Sequence, residues 1–261
     1  MMKSLYIGAT GMGSQQVNVD NIANNLANVN TTGFKKGVVN FEDLIYQTLN
    51  TPGANTSSST TMPSSMQIGL GSRVASIVKS QEQGALNSTP GLELNVALDG
   101  KGFFQVTLPN GDIAYTRDGA LQLNKDGEIV NSMGYIVSPG IIIPDNATAV
   151  TITSDGKVQA TVNSVLELLG QFEMVRFINP SGLQAYGSNM MLATDASGDP
   201  ITGFGGDDGF GMIKQFFLEN SNVNSVSELT DLIKGQRAFE FNSKVVQAAD
   251  QMLKTTVDTK A

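Results

Sequence analysis

The chain has 261 residues, of which 40% are hydrophobic and 15% charged, a composition typical of a folded soluble protein with a real core. Its formal net charge is −8. Residues 1–40 carry +2 and residues 221–261 carry zero, so residues 41–220 carry −10. An acidic middle with near-neutral ends excludes the clustered basic surface that nucleic acid requires, and it argues against an anionic membrane surface.

The chain contains no cysteine, histidine or tryptophan. These absences exclude disulfides, thiolate metal sites, Ser-His-Asp and Cys-His catalysis and His-ligated metals. A carboxylate-pair glycosidase needs no histidine, but such enzymes line their clefts with aromatic residues, and this chain has no tryptophan and only 7% aromatic residues. We expect no enzymatic activity, no cofactor, no metal and no small-molecule substrate. The N-terminal stretch has one lysine, Lys3, and a broken apolar run, so no cleaved signal peptide is expected. No apolar run reaches the roughly 18–20 residues needed to span a bilayer.

A first amphipathic helix is predicted from about Ser4 to Val29. Apolar residues follow a 4-3-7-4-3 spacing, with Gln16 at the one polar position of this seam: Leu5, Ala9, Met12, Val19, Ala23 and Leu26. The stretch is rich in asparagine, which competes for backbone hydrogen bonds and weakens an isolated helix. The helix is therefore expected to need a partner.

A second, longer helix is predicted from about Ser225 to Asp258. Its apolar residues follow a 3-7-7-7-4 spacing, with Gln236, Ser243 and Asp250 as polar seam positions: Leu229, Leu232, Phe239, Val246, Leu253 and Val257. Ser225 followed by Glu228 fits a capping box at its start. A helix of this length, with a weak partner at the other end of the chain, predicts a coiled-coil-like terminal pair.

The middle of the chain has a different character. Residues 50–66 are rich in Ser, Thr, Pro and Gly and are expected to be mobile, and no strand is predicted before residue 67. From Phe103 to Ile143 the apolar period is two, and three turn dipeptides predict a β-meander: Asn110-Gly111, Asp118-Gly119 and Asp126-Gly127. Further strands are predicted over Val150–Thr153, Val158–Val162, Leu166–Phe177 and Met190–Ala193.

The predicted fold class is therefore α+β, with N- and C-terminal helices that pair around a central, mostly β domain. The predicted divisions are an N-terminal helix over 1–30, an extended bridging segment over 31–75, a β-rich domain over 76–220 and a C-terminal helix over 221–261. The two helical ends together form one terminal domain in this prediction.

Three motifs imitate functional sites and are given simpler interpretations. The GATGMGS stretch, with Gly8, Gly11 and Gly13, lacks the preceding strand of a dinucleotide fold, so we interpret it as a small-residue helix face. The acidic clusters at Asp195 with Asp199 and at Asp207 with Asp208 lack calcium-loop spacing and are interpreted as solvated turns. Arg117 next to Asp118 is interpreted as a surface turn with a weak local charge pair.

Several of these segments resemble one known family. The stretch ANNLANVNTTGFK at Ala23–Lys35 is similar to a signature of flagellar rod and hook subunits. Leu218–Asp258 resembles the C-terminal motif of the same family, and Gly100–Val106 and Tyr115–Gly127 resemble its central β domain. The residues that carry the terminal motifs are Asn24, Asn25, Leu26, Asn28, Thr32, Gly33, Phe34, Lys35, Gln236 and Arg237.

The resemblance implies a structural protein that is exported by the flagellar type III system and polymerises into a stiff helical tube that transmits torque. Its implied partners are other copies of itself, other rod and hook subunits, the export apparatus and the surrounding P- and L-ring bushing, with no nucleic acid. The implied location is the basal-body rod, which crosses the periplasm, after synthesis in the cytoplasm. The implied packing positions are Leu5, Met12, Val19, Leu26, Leu229, Leu232, Phe239, Val246 and Leu253.

The length of the chain and the stretch Tyr46–Val74 resemble the distal-rod members of the family. The resemblance implies that this stretch stiffens the rod, and the residues that carry it are Tyr46, Pro52, Gly53, Gln67 and Gly69. Two alternatives stay open: a proximal rod or hook subunit of the same family, and, more remotely, a β-rich carbohydrate-active or carbohydrate-binding protein with helical ends.

Overall fold

The computed structural model describes residues 2–50, 55–57, 60–61, 65–163 and 165–258. The chain divides into two compact units. Unit 1 comprises Met1–Leu26, Gly37–Val78 and Asn224–Ala261, and unit 2 comprises Ala27–Lys36 and Lys79–Val223. The segment predicted to bridge, residues 31–75, is thus divided between the two units at Lys36 and Gly37.

Unit 1 consists of two long helices and a ladder of short antiparallel strands. The helices are α1, Met2–Ala27, and α2, Ser225–Asp258. Strands pair as β1 with β6, β2 with β5 and β3 with β4, as one extended hairpin would. Their bounds are β1 Gly37–Asp43, β2 Tyr46–Asn50, β3 Asn55–Ser57, β4 Thr60–Thr61, β5 Met66–Gly69 and β6 Ser72–Lys79. The prediction of no strand before residue 67 is wrong, because β1 and β2 obtain their partners from β6 and β5.

Unit 2 is built from strands, with one 3₁₀ turn at Pro180–Gly182. Its bounds are β7 Leu86–Ser88, β8 Val96–Asp99, β9 Phe103–Thr107, β10 Ile113–Thr116, β11 Gln122–Leu123, β12 Ile129–Val130, β13 Ile136–Val137, β14 Ala147–Ile152, β15 Lys157–Val162, β16 Val165–Gln171, β17 Met174–Arg176, β18 Gln184–Gly187, β19 Met190–Leu192, β20 Ile201–Gly203, β21 Met212–Gln215 and β22 Phe217–Glu219.

The largest sheet of unit 2 runs in the order β11-β12-β13-β9-β10-β19-β18, and β17 pairs with both β9 and β20. A second sheet has the order β14-β15-β16, and β21 pairs with β8 and β22 with β7. Asn110-Gly111 and Asp126-Gly127 do connect antiparallel neighbours. The predicted turn at Asp118-Gly119 does not, because β10 and β11 do not pair with each other, so the region is not one continuous meander.

A dry hydrophobic core lies inside unit 2. Phe104, Val106 and Leu98 are fully buried, and the rings of Phe104 and Phe172 meet edge to face with centroids 6.1 Å apart. Alternate residues of β9 and β15 face this core, as the period of two predicts. The α+β fold class predicted from the sequence is confirmed.

The start of α2 differs from the predicted capping box. Asn224 caps the helix, because its Oδ1 accepts hydrogen bonds from the amides of Val226, at 3.0 Å, and Ser227, at 3.2 Å. The helix therefore begins at Ser225, one residue after its cap. Glu228, the predicted second member of the box, is buried instead.

Candidate assembly surface

Glycines bring α1 and α2 into close contact within unit 1. A Cβ at Gly8 would lie 2.7 Å from Val246 Cγ2, and one at Gly11 would lie 2.8 Å from Asn242 Nδ2. A Cβ at Gly235 would lie 3.1 Å from Val19 Cγ2. Residue numbers on α1 rise as those on α2 fall, so the helices are antiparallel. The interpretation as a small-residue helix face is confirmed for Gly8 and Gly11, whereas a Cβ at Gly13 would have nothing within 4 Å.

A buried amide network ties the end of α1 to the start of α2. Asn25 is 2% exposed, and its Nδ2 donates to Glu228 Oε2 at 3.2 Å and to the carbonyl of Gly37 at 2.9 Å. Its Oδ1 accepts from the Gly37 amide at 2.9 Å, and Asn21 Nδ2 donates to the same Gly37 carbonyl at 2.8 Å. Asn25 thus holds the start of β1 against both helices.

The inner rows of the two helices follow the heptad period but are displaced by one residue from part of the predicted seam. In α1 Ile22 is buried, whereas Ala9, Gln16 and Ala23 are exposed. In α2 the most buried positions are seven residues apart: Glu228, Gly235 and Ala249, with Asn242 half-buried between the last two. Of the predicted packing positions, these are half-buried: Leu5, Met12, Val19, Leu26, Leu232, Val246 and Leu253. Leu229 is 47% exposed and Phe239 37%.

A second set of apolar residues on α2 is exposed. We call Leu229, Ile233, Phe241, Val245 and Met252 the outer row. Their exposed fractions are 47%, 53%, 62%, 47% and 49% in that order. With 3.6 residues per turn, Leu229, Ile233 and Phe241 lie between a third and nearly a half of a turn from the row that contains Gly235, and Val245 and Met252 lie about a quarter of a turn from it. Apolar side chains in such a row are typical of an interaction surface.

Helix α1 carries exposed apolar residues as well. Met2 is 78% exposed, Tyr6 54% and Val17 36%, and all three lie opposite the row that contains Gly8 and Ile22. Both helices of unit 1 therefore carry exposed apolar residues, and Tyr6 and Val17 line a cleft that α1 shares with β6. Neither described helix is both long and apolar enough to cross a membrane.

Three of the predicted stiffening residues lie on the β2–β5 ladder of unit 1. Tyr46 pairs with Gly69, and a Cβ at Gly69 would lie 3.2 Å from Tyr46 Cε1, so the tyrosine ring covers the glycine. Thr48 pairs with Gln67, whose Nε2 is 3.5 Å from Thr48 Oγ1. Pro52 and Gly53 lie outside the described residues, as does much of the Ser- and Thr-rich stretch that was predicted to be mobile.

The GFK part of the signature lies in unit 2. Thr32 Oγ1 donates to Asp118 Oδ1 at 2.9 Å, and the Gly33 amide donates to the carbonyl of Glu219 at 2.8 Å. Gly33 has φ of +67°, and a Cβ there would lie 2.8 Å from the Asp118 amide, so both conformation and space require glycine. The ammonium group of Lys79 lies over the ring of Phe34, 4.6 Å from the ring centroid, in a cation–π contact.

Lys35 belongs to a buried ion cluster. Its Nζ donates to Glu219 Oε1 at 2.7 Å and to the Glu82 carbonyl at 2.6 Å, and Arg117 Nη1 donates to Glu219 Oε2 at 3.3 Å. Lys35 and Arg117 are each 4% exposed and Glu219 is 1% exposed. Burial lowers the pKa of Lys35 and that of Arg117, against the opposing effect of Glu219. The interpretation of Arg117 as part of a surface turn is wrong, because its partner is Glu219 rather than Asp118.

The remaining signature residues have local or exposed places. Asn28 accepts a hydrogen bond from Thr31 Oγ1 at 3.2 Å, which closes the turn after α1. Asn24, Gln236 and Arg237 are exposed. Sequence reasoning missed Glu219, whose only signal was a charged residue at the end of an apolar strand.

Three family profiles match successive parts of the chain. The profile described as "Flagella basal body rod protein" matches residues 5–35, "Flagellar hook protein FlgE/F/G D1 domain" matches residues 97–160, and "Flagellar basal body rod FlgEFG protein C-terminal" matches residues 214–259. They therefore fall on α1 and the turn after it, on the middle of unit 2, and on α2 with the strands before it.

Relatives match almost the whole chain. It is 46% identical over 255 residues to the flagellar basal-body rod protein FlgG of Buchnera aphidicola subsp. Acyrthosiphon pisum, covering 97% of this chain and 98% of the relative. This chain belongs to the flagellar basal-body rod protein family. The protein of the same name from Borreliella burgdorferi is 46% identical with 97% of each chain covered, and that from Caulobacter vibrioides is 44% identical with 98% of each covered. The family resemblance of the sequence is confirmed.

Proposed function

We propose that this chain is a structural subunit of the bacterial flagellar rod, at its distal part, and that it polymerises through its terminal helices. Its near full-length relatives are named as basal-body rod proteins. The observation that carries the helical mechanism is the exposed apolar surface of α1 and α2, since rows of exposed apolar residues are typical of interaction surfaces.

The contacts needed by these helices would come from neighbouring copies. Ile22 and Ala249 are the only hydrophobic residues buried in the described part of unit 1, so the helix pair has little core of its own. Helices with this little burial gain most of their stability from packing. Coiled-coil-like packing between subunits would bury the outer rows, and contacts of this kind that do not close produce an open helical polymer.

Weak intrinsic order would also suit export. A thin helical unit can be unfolded at low cost, and a chain without cysteine cannot be locked by disulfides before passage. We propose that the flagellar type III system exports the chain and that α1 and α2 gain most of their stability on assembly. Other rod and hook subunits and the surrounding rings would be its neighbours in the basal body.

Residues 46–74 would give the rod its stiffness. The ladder in which Tyr46 covers Gly69 exposes apolar side chains that a neighbouring copy could bury, including Tyr46 at 51%, Leu49 at 45% and Met66 at 55%. Deletion of residues 50–66 is expected to leave assembly intact and to yield bent rods in electron micrographs of isolated basal bodies. Straight rods of normal stiffness after this deletion would contradict the role.

The assembly proposal is tested by truncating one side chain of the outer row. A strain whose sole copy carries Phe241→Ala is expected to yield basal bodies that lack the rod segment made by this chain. Tyr186→Ala, which removes an aromatic side chain of similar exposure from β18 of unit 2, is the matched control. Normal rods with Phe241→Ala would overturn the mechanism.

Limited proteolysis separates this function from that of a monomeric carbohydrate-binding protein. The free chain is expected to be cut within α1 and α2 and to resist cleavage across unit 2, and the assembled chain is expected to be protected throughout. Rigid helical ends in a chain that stays monomeric under all assembly conditions would favour the carbohydrate-binding alternative. A proximal rod subunit would differ in its position within the isolated basal body.

A further inference from the structure

A cavity of about 360 Å³ opens into unit 2 beside β9 and β17. Its polar lining comes from Lys101, Arg117, Arg176 and Gln81, and its apolar lining includes Phe103 and Ile178. None of these residues belongs to the outer row or to the helical unit. The cavity is therefore a feature of unit 2 that the proposed helix packing does not use.

Buried polar atoms of this lining have no hydrogen-bond partner among the described residues. They are Nε of Arg117, Nε of Arg176 and both amide atoms of Gln81. Arg117 is 4% exposed, and its Nη1 and Nη2 are held by Glu219 and by the carbonyl of Gly100. Because a buried donor without a partner costs free energy, these atoms mark a place where a ligand with acceptor atoms gains affinity.

The same lining carries uncompensated positive charge. Arg117 shares the carboxylate of Glu219 with Lys35, so one buried carboxylate there serves two buried cations. Within the part of the chain that the structure describes, Arg176 and Lys101 have no carboxylate within ion-pair distance. The guanidinium of Arg176 instead lies over the ring of Phe210, 5.6 Å from its centroid. Arginine forks in a partly dehydrated site are the standard partners of carboxylates.

We propose that this cavity binds a carboxylate, and that in the polymer the carboxylate is an aspartate or glutamate side chain of a second copy of this chain. The inference rests on the proposed function, because it needs neighbouring copies. Two observations favour a second copy as the source. The chain has a net charge of −8, so each copy offers an acidic surface to a basic cavity of the next. The rim is apolar, with Ile178 82% exposed, which suits contact with a protein surface better than a hydrated free anion.

The first test compares Arg176→Gln with Lys125→Gln. Both remove one positive charge from unit 2, but Lys125 is exposed and does not line the cavity. Arg176→Gln is expected to reduce the amount of chain in isolated rods roughly tenfold or more, the loss of a charge-assisted contact, without lowering the melting temperature of the purified chain. Lys125→Gln should assemble normally. Rods of normal abundance with Arg176→Gln would overturn the inference.

The second test identifies the occupant and does not depend on a loss of function. Because the chain has no cysteine, Ile178→Cys introduces a single site for a photo-activated maleimide cross-linker at the rim. In isolated rods, a cross-link from residue 178 to an Asp- or Glu-bearing segment of a second copy is expected. A cross-link to a different protein, or to a segment of this chain without acidic residues, would overturn the assignment.

A free anion is the remaining source of the same chemistry. Acetate is the probe: if it raises the melting temperature of the wild-type chain but not of Arg176→Gln while both form normal rods, the ligand is a small carboxylate and the second-copy assignment falls. The presence of the wild-type chain in isolated rods tests the proposed function independently of the cavity. Absence of the wild-type chain from isolated rods would refute the function, whereas normal rods from Arg176→Gln would refute only the cavity's part in them.

Discussion

Unit 2 and unit 1 differ in where they place their hydrophobic residues. Unit 2 buries Phe104, Leu98 and Val106 completely inside stacked strands. Unit 1 buries only Ile22 and Ala249 in its described part and exposes Phe241 and Ile233 on α2. Apolar burial is the main source of folding free energy, so unit 2 has a core that stabilises it, whereas unit 1 would gain most of its stability from the proposed contacts with other copies.

The largest expected effect is on the ion cluster of unit 2. Glu219→Gln leaves Lys35 and Arg117 buried without a carboxylate, and we expect it to lower the free energy of unfolding of unit 2 by about 3–5 kcal/mol. Asp99→Asn is the control, since it breaks the largely exposed pair with Lys214 and should cost about 0–1 kcal/mol. Hydrogen exchange of the β9 amides measures both. Equal losses of unfolding free energy in the two variants would contradict a particular contribution of the buried cluster to the stability of unit 2.

A smaller effect is expected at the amide network of unit 1. Asn25→Ala removes a hydrogen-bond partner of the Gly37 amide, of the Gly37 carbonyl and of Glu228, and should cost about 1–3 kcal/mol in the stability of the helical unit. Asn21→Ala removes one hydrogen bond to the same carbonyl and should cost about 0.5–1.5 kcal/mol. Helix content followed by circular dichroism during urea unfolding separates the two. A larger loss of stability with Asn21→Ala than with Asn25→Ala would contradict the central position of Asn25 in this network.

The monomer should barely respond to changes in the outer row. Phe241→Ala is expected to change the stability of the isolated chain by less than about 0.5 kcal/mol, because its side chain is 62% exposed, while it abolishes assembly. Differential scanning calorimetry of the purified chain measures the first effect. A clear fall in melting temperature would mean that Phe241 already makes stabilising contacts within the isolated chain, which would contradict its proposed role in packing between copies.

The smallest effect is a dependence on pH. Burial lowers the pKa of Lys35 below its ordinary value of 10.5, with Glu219 and Glu82 opposing and Arg117 adding to the shift. Between the two pKa values the unfolded chain holds more protons than the folded one, so this group makes stability rise with pH up to about 10.5. Relative to Lys35→Met, the wild-type chain should gain stability over this window in urea titrations. A relative loss would contradict the sign.

Periodicity predicted the two helices and most of unit 2, because strands and helices that bury one face repeat in sequence. It placed part of the helix seam one residue away from its observed position. The inner row of α2 is Glu228, Gly235, Asn242 and Ala249, and a count of apolar residues cannot recognise such a row. Their contacts depend on close approach and amide bonding rather than on hydrophobicity. Strands β1 and β2 were missed for a related reason: each is specified by a partner far along the chain.

Charge was the least predictable property. Arg117 is next to Asp118 in sequence, and a local charge pair between the two was predicted. The carboxylate that Arg117 contacts belongs instead to Glu219, 102 positions away. Lys35 is recognisable only as part of a family signature, and its burial follows from the same distant residue. Which charges share a site depends on the topology of unit 2, which local spacing does not contain.

The antiparallel register of the helices leaves their lengths unequal. Gly8 lies opposite Val246, so counting back along α1 puts Met2 opposite residue 252. The last six residues of α2, 253–258, therefore extend about 9 Å beyond the first residue of α1. Val257 in this extension is 67% exposed. This end of α2 thus adds exposed apolar surface beyond the helix pair, which the proposed packing between copies could bury.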